Sequence, residues 1–140
     1  MKKLFSFTTL IFLVLALLTV SCEKSPEELL IGKWEIQTLN FKTYENNVLQ
    51  DQETETYTAN EMVLEFLEGG SGKEYSDNVL TSTFSWAVDG DICTISNPGE
   101  EPFDLNLSVG EDNITFSMEE SETDGGIVYK YVMTFSGKRI

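Results

Sequence analysis

Hydrophobic residues recur at every second position through most of the chain. Phe103, Leu105, Leu107 and Val109 alternate with Asp104, Asn106 and Ser108. Trp34 and Ile36 share a face, with Glu35 and Gln37 opposite. Leu64 and Phe66, and Phe84, Trp86 and Val88, repeat the pattern. So do Ile114, Phe116 and Met118, and the longer row Tyr129, Tyr131, Met133 and Phe135. Strict alternation predicts strands with one face buried and the other wet. Between the rows stand Gly69-Gly70-Ser71-Gly72, Asp89-Gly90-Asp91, Asn97-Pro98-Gly99, Gly110-Glu111-Asp112-Asn113 and Asp124-Gly125-Gly126. These are the residue types that tight turns require.

Helical spacing is absent from this region. One short helix is predicted before it, at Ser25-Pro26-Glu27-Glu28-Leu29-Leu30. Ser suits the N-cap and Pro the first turn, the two Glu complement the helix dipole, and Gly32 stops it. The segment 43–60 is polar and predicts a long strand end followed by a loop. The count is about eight strands, each joined to the next by a short turn. The fold class is all-β: an antiparallel up-and-down meander, for which closure into a barrel removes exposed edges. A β-sandwich satisfies the same pattern.

The first 21 residues differ from the rest. Met1-Lys2-Lys3 is basic, residues 10–18 are apolar, and Thr19-Val20-Ser21 leads to Cys22. This is the organisation of a secretory signal peptide. The apolar run is shorter than the ~20 residues that span a bilayer. Thr19-Val20-Ser21-Cys22 resembles a lipobox, with Thr19 where Leu is usual. That resemblance implies a diacylglyceryl group on the Cys22 thiol and cleavage before it. A di- or triacylated Cys meets the two-chain condition for stable anchoring. Residue 23 is Glu rather than Asp, unlike the inner-membrane retention signal. Glu23-Lys24 with Glu27-Glu28 resembles the surface-export signals of Bacteroidetes lipoproteins, interrupted by Ser25-Pro26. The expected location is the cell envelope, lipid-anchored in the outer membrane. The expected organisation is a signal peptide over 1–21, a lipidated N-terminus and helical turn over 22–31, and one barrel domain over 32–140.

Removing residues 1–21 leaves seven basic and twenty-four acidic side chains, a net charge of −17. Such a surface repels nucleic acid and anionic lipid heads. There is no histidine. His-based acid–base chemistry, triads and zinc sites are thereby excluded. With Cys22 lipidated, Cys93 has no intramolecular partner. Its place in Ile92-Cys93-Thr94-Ile95 predicts a small buried hydrophobe.

Gly32-Lys33-Trp34 follows the short helix at the head of the first strand, and the chain closes on Phe135-Ser136-Gly137-Lys138-Arg139. This combination resembles the Gly-x-Trp signature and basic last strand of lipocalins. With the lipobox, the mature chain resembles the small lipocalin-like lipoproteins of Bacteroidetes. The resemblance covers nearly all of residues 29–139. It implies that Trp34 plugs one end of the barrel and that Arg139, or else Lys138, stacks on it. The chain is shorter than typical lipocalins, and no helix follows its last strand.

The inward rows are rich in bulk, and an eight-stranded barrel is only just wide enough to be filled by side chains or to hold one small ligand. Close packing favours the filled interior. A candidate ligand site is placed at the other end, on Phe84, Trp86, Tyr129 and Tyr131, with Tyr44, Tyr57 and Tyr75 supplying hydroxyls. Acidic turn residues lack calcium-loop spacing and are turn formers. No cofactor and no metal is expected. Three functions compete: a lipid-anchored module binding a small apolar or amphipathic molecule, a filled barrel that meets a protein partner, and a carboxylate-dependent hydrolase. The last ranks lowest, since no carboxylate pair is placed on facing walls.

Overall fold

The computed structural model describes residues 23–140. Cys22 and the signal segment lie outside the described residues. Helix α1 spans Pro26–Leu30. Ser25 caps it: the Ser25 hydroxyl accepts from the Glu28 amide, and the Glu28 carboxylate accepts from the Ser25 amide. These two bonds satisfy the free donors of the first turn reciprocally. Nine strands follow: β1 Gly32–Glu45, β2 Val48–Thr56, β3 Val63–Leu67, β4 Ser71–Ser76, β5 Val79–Asp89, β6 Ile92–Ser96, β7 Phe103–Val109, β8 Asn113–Asp124 and β9 Ile127–Arg139.

All pairings are antiparallel. Strand β1 pairs with β9 along one edge, which closes β1-β3-β4-β5-β6-β7-β8-β9 into an eight-stranded barrel. The sandwich alternative is thereby set aside. The ninth strand, β2, lies where a loop is predicted. Strand β1 gives its first residues, Gly32–Glu35, to β3 and its later ones, Thr38–Glu45, to β2. Asn46 and Asn47, at φ 47° and 65°, make the tight turn between β1 and β2. Both angles are positive, as a two-residue turn matching the twist of the strands requires, and Asn tolerates them.

A register shift between Ile36 and Thr38 sets the inner face of β1. Before it, Trp34 and Ile36 point inward. After it, Leu39 and Phe41 do, paired with Phe135 and Met133 of β9. One extra residue turns the alternation over, as a bulge does.

The core occupies the α1 end. Trp34 is fully buried, and its Nε1 donates to the Leu30 carbonyl at 2.8 Å. The Arg139 guanidinium lies 4.2 Å from the Trp34 ring, close enough for cation–π attraction. It also donates to the carbonyls of Ile31, Leu29 and Glu111. Three strand-end and helix-end carbonyls are satisfied by one planar fork, which a lysine could not do. Gly32 permits this approach: it sits at φ +132°, and a Cβ there would meet Arg139 Nη1 at 2.5 Å. Lys138, the other candidate for the stack, faces outward to Glu35 at 3.2 Å.

Above Trp34, Phe66 meets Phe84 and Trp86 edge-on at 5.4 and 5.6 Å and stacks on Phe116 at 5.8 Å. Gly72 makes room for this layer. A Cβ there would fall 2.2 Å from the Phe84 ring. Gly72→Ala is therefore expected to destabilise the barrel by about 1–3 kcal/mol through overpacking. Urea unfolding checks this, with a lower midpoint at unchanged slope.

On the outer wall, the buried Glu35 carboxylate accepts from the Asn60 amide at 2.9 Å and pairs with Lys138. The Asn60 amide first, and Lys138 second, hold its pKa below the ordinary 4.5. Bonds of this kind favour the charged form. The sign follows: a carboxyl with a lowered folded-state pKa stabilises above its ordinary value, and that contribution is lost as pH falls through the lowered value. Glu35→Gln is expected to lower the melting temperature at neutral pH. The gap to the parent should close as pH drops below 4.5. A gap that stays constant down the acid limb would show that Glu35 acts through packing alone.

Candidate functional site

Polar residues are scarce inside the barrel, yet packing does not fill it. At the end opposite Trp34 a cavity of about 390 Å³ lies between the walls. It is lined by Leu64, Phe66, Phe84, Ile95, Leu105 and Phe116 below, and by Met62, Phe103, Met118, Met133 and Phe135 towards the mouth. Among the described residues, Glu74 and Asn97 are its only polar members. The volume is within the range of small-molecule sites, and a mostly apolar lining with a few polar groups is their usual form. The filled interior expected from the bulk of the inward rows thus holds for the lower half only. The upper half stays open because the strands outrun the core. β1, β8 and β9 continue past the mouth.

The register distributes the candidate residues over several places. Phe84 lines the cavity. Trp86 belongs to the packed layer beneath it, buried, with its Nε1 donating to the Ser71 carbonyl at 2.8 Å. Tyr129 and Tyr131 share the inner face with Met133 and Phe135 but stand above the mouth, beside Glu122 and Glu120. The Tyr131 hydroxyl donates to Glu122 at 3.0 Å, and this bond raises its pKa. Tyr57, just after β2, donates weakly to Glu55 at 3.4 Å.

Tyr44 and Tyr75 are corrections to the expected site, since both lie on the outer wall. Tyr44 pairs with Lys130, whose Nζ is 4.6 Å from its ring. Tyr75 donates to Glu65 at 2.7 Å and lies 5.3 Å from Lys33 Nζ. The bulge in β1 turns Tyr44 away from the interior. In β4 the inner positions are Gly72 and Glu74, paired with Phe66 and Leu64. Tyr75 is therefore outside, although it is the one aromatic of its strand.

Glu74 is the residue that sequence reasoning missed. Its carboxylate accepts from the Ser82 hydroxyl at 3.0 Å. Among the described residues it enters no ion pair. Cys93 is buried in the lower core. Burial first, and then the Asp104 charge, push its thiol up to about 12. A protonated, enclosed thiol is a poor nucleophile. Among the described residues no group of three or more Cys, Asp or Glu is placed to hold a metal ion. Comparison with protein families, with curated proteins and with solved structures returns no match.

Proposed function

We propose that the chain is a lipid-anchored lipoprotein of the cell envelope, with a lipocalin-like barrel that holds a small apolar or amphipathic molecule. The observation that carries this reading is the apolar cavity of about 390 Å³ at the mouth of an eight-stranded barrel. Outer-membrane placement and a lipid on Cys22 rest on the lipobox resemblance and the signal-peptide pattern. The reading is non-enzymatic, in keeping with a sequence that has no histidine. The geometry supports the combination in one further way. Only Glu23, Lys24 and Ser25 separate Cys22 from α1, and α1 packs under the closed end through Leu30. An anchor on Cys22 holds the closed end near the bilayer and leaves the mouth facing the aqueous side.

A second reading has its own support. Val48 and Leu49 at the start of β2, and Val79 and Leu80 at the start of β5, are exposed at the mouth end. An interaction module would use such residues against a protein partner.

Calorimetric titration of residues 23–140 with straight-chain primary alcohols of increasing length separates the two. The cavity reading expects affinity to rise about fourfold per added methylene, at ~0.8 kcal/mol each, until the cavity is full and the trend flattens. No heat and no saturation for any chain length would leave the interaction module as the better account.

A further inference from the structure

The mouth of the cavity carries one sign of charge. Above it, β2, β1, β9 and β8 continue as a wall of four paired strands. The register puts Glu53 and Glu55 of β2 on the inner face of this wall, opposite Phe41 and Leu39. On the other side it puts Glu120 and Glu122 of β8 there, opposite Tyr131 and Tyr129. Among the described residues no lysine or arginine stands on that face. The two on this stretch, Lys42 and Lys130, pair with Val132 and Tyr44 on the outer face. Inside the cavity, the polar group of the β4 wall is the Glu74 carboxylate, without a cationic partner among the described residues.

We propose that the ligand is a cationic amphiphile, an alkyl chain ending in an ammonium or methylated ammonium group. This rests on the reading of the cavity as a binding site. The site is the apolar cavity, and the carboxylates and rings at its mouth select the head. Glu120 is one inner-face step beyond the cavity-lining Met118, about 7 Å along the strand. A chain seated in the cavity brings its head group into the span between Glu74 and Glu120. A concave surface of one sign between apolar walls concentrates its field, favouring a cation and repelling a carboxylate or phosphate head. Phe41, Tyr129 and Tyr131 add ring faces beside those carboxylates. Phe41 is 41% exposed although it stands on the inner face. Aromatic faces next to carboxylates are the environment that quaternary ammonium groups prefer. The apolar tail supplies affinity without regard to head, so the charge preference is a separable property.

The test compares three probes of equal chain length below their micelle concentrations: decyltrimethylammonium, decanol and decanoate. Residues 23–140, which contain the whole barrel and its core, are titrated with each by calorimetry at low and high salt. The expected order is decyltrimethylammonium, then decanol, then decanoate, with a gap of at least about tenfold between the charged probes at low salt. High salt should narrow the gap. The variant Glu74→Gln/Glu120→Gln/Glu122→Gln should narrow it to about twofold. Decanol should displace decyltrimethylammonium, since both tails share one cavity. Decanoate binding as tightly as decyltrimethylammonium would overturn the charge preference and leave the cavity reading standing. Decyltrimethylammonium that decanol cannot displace would also overturn it, as adsorption on an acidic surface. If none of the three binds, the cavity reading falls and this inference with it.

Discussion

Trp34→Ala is expected to destabilise the barrel by about 3–5 kcal/mol, the cost of emptying a large buried aromatic site. That is a large part of the roughly 5–15 kcal/mol that holds a domain folded. Trp34 has no exposed surface and is the largest of the fully buried side chains. Its loss acts at three levels. It opens a cavity beneath Phe66. It removes the bond from Nε1 to the Leu30 carbonyl, which ties α1 to the barrel. It also takes away the ring on which Arg139 rests. Trp34→Phe keeps a ring but not the indole donor and should fall between. Arg139→Lys should be nearly as harmful as Arg139→Ala, because an ammonium cannot reach the carbonyls of Leu29, Ile31 and Glu111 at once. Chemical denaturation of the four variants checks the order. A Trp34→Ala loss below about 1 kcal/mol would mean that the closed end is not the centre of stability.

Leu64→Trp/Leu105→Trp is expected to weaken ligand binding by roughly 50-fold while leaving the fold intact. The two residues stand on opposite walls, β3 and β7, four strands apart around the closed sheet, and both line the cavity. Enlarging side chains in a filled core forces strain. Here the two indoles enter one shared space of about 390 Å³, so the stability change should stay small. A ligand denied three of its buried methylenes loses about 2.4 kcal/mol, roughly 50-fold in affinity. Calorimetric titration with decanol, alongside urea unfolding, reads both quantities on the same samples. Unchanged decanol affinity in a folded variant would place the binding outside the cavity. A variant that unfolds as easily as Trp34→Ala would mean that the upper half is packed rather than hollow.

The period-2 rows read from the sequence are strands, and the short helix with its Ser25 cap lies where its capping residues predict. Strand β2 escaped notice for a physical reason. Val48–Thr56 is exposed at every position, so neither face carries an apolar row, and the strand exists only because it pairs with β1. The turn residues Asn46-Asn47 were the available signal. The candidate site was legible in part. Phe84 lines the cavity, and Tyr129 and Tyr131 share its inner face above the mouth. Tyr44 lies on the outer wall because the bulge in β1 reverses the alternation that Trp34 and Ile36 begin. Tyr75 is the one aromatic of β4, yet the pairing of that strand turns Glu74 inward and sets Tyr75 on the outer wall. Bulges and inward carboxylates leave no mark in hydrophobic periodicity, so the polar side of the site could not be read from it. The cavity was likewise obscured, because the bulk of a row says nothing about how far its strands extend beyond the packed layer.

Native mass spectrometry of residues 23–140, purified in the presence of host lipid extract and compared with the denatured mass, addresses the proposed carrier role most directly. The account predicts a reproducible added mass that disappears on denaturation, in a size class matching a cavity of about 390 Å³. Bare protein across several lipid and metabolite mixtures would contradict it and turn attention to a protein partner at the exposed turns.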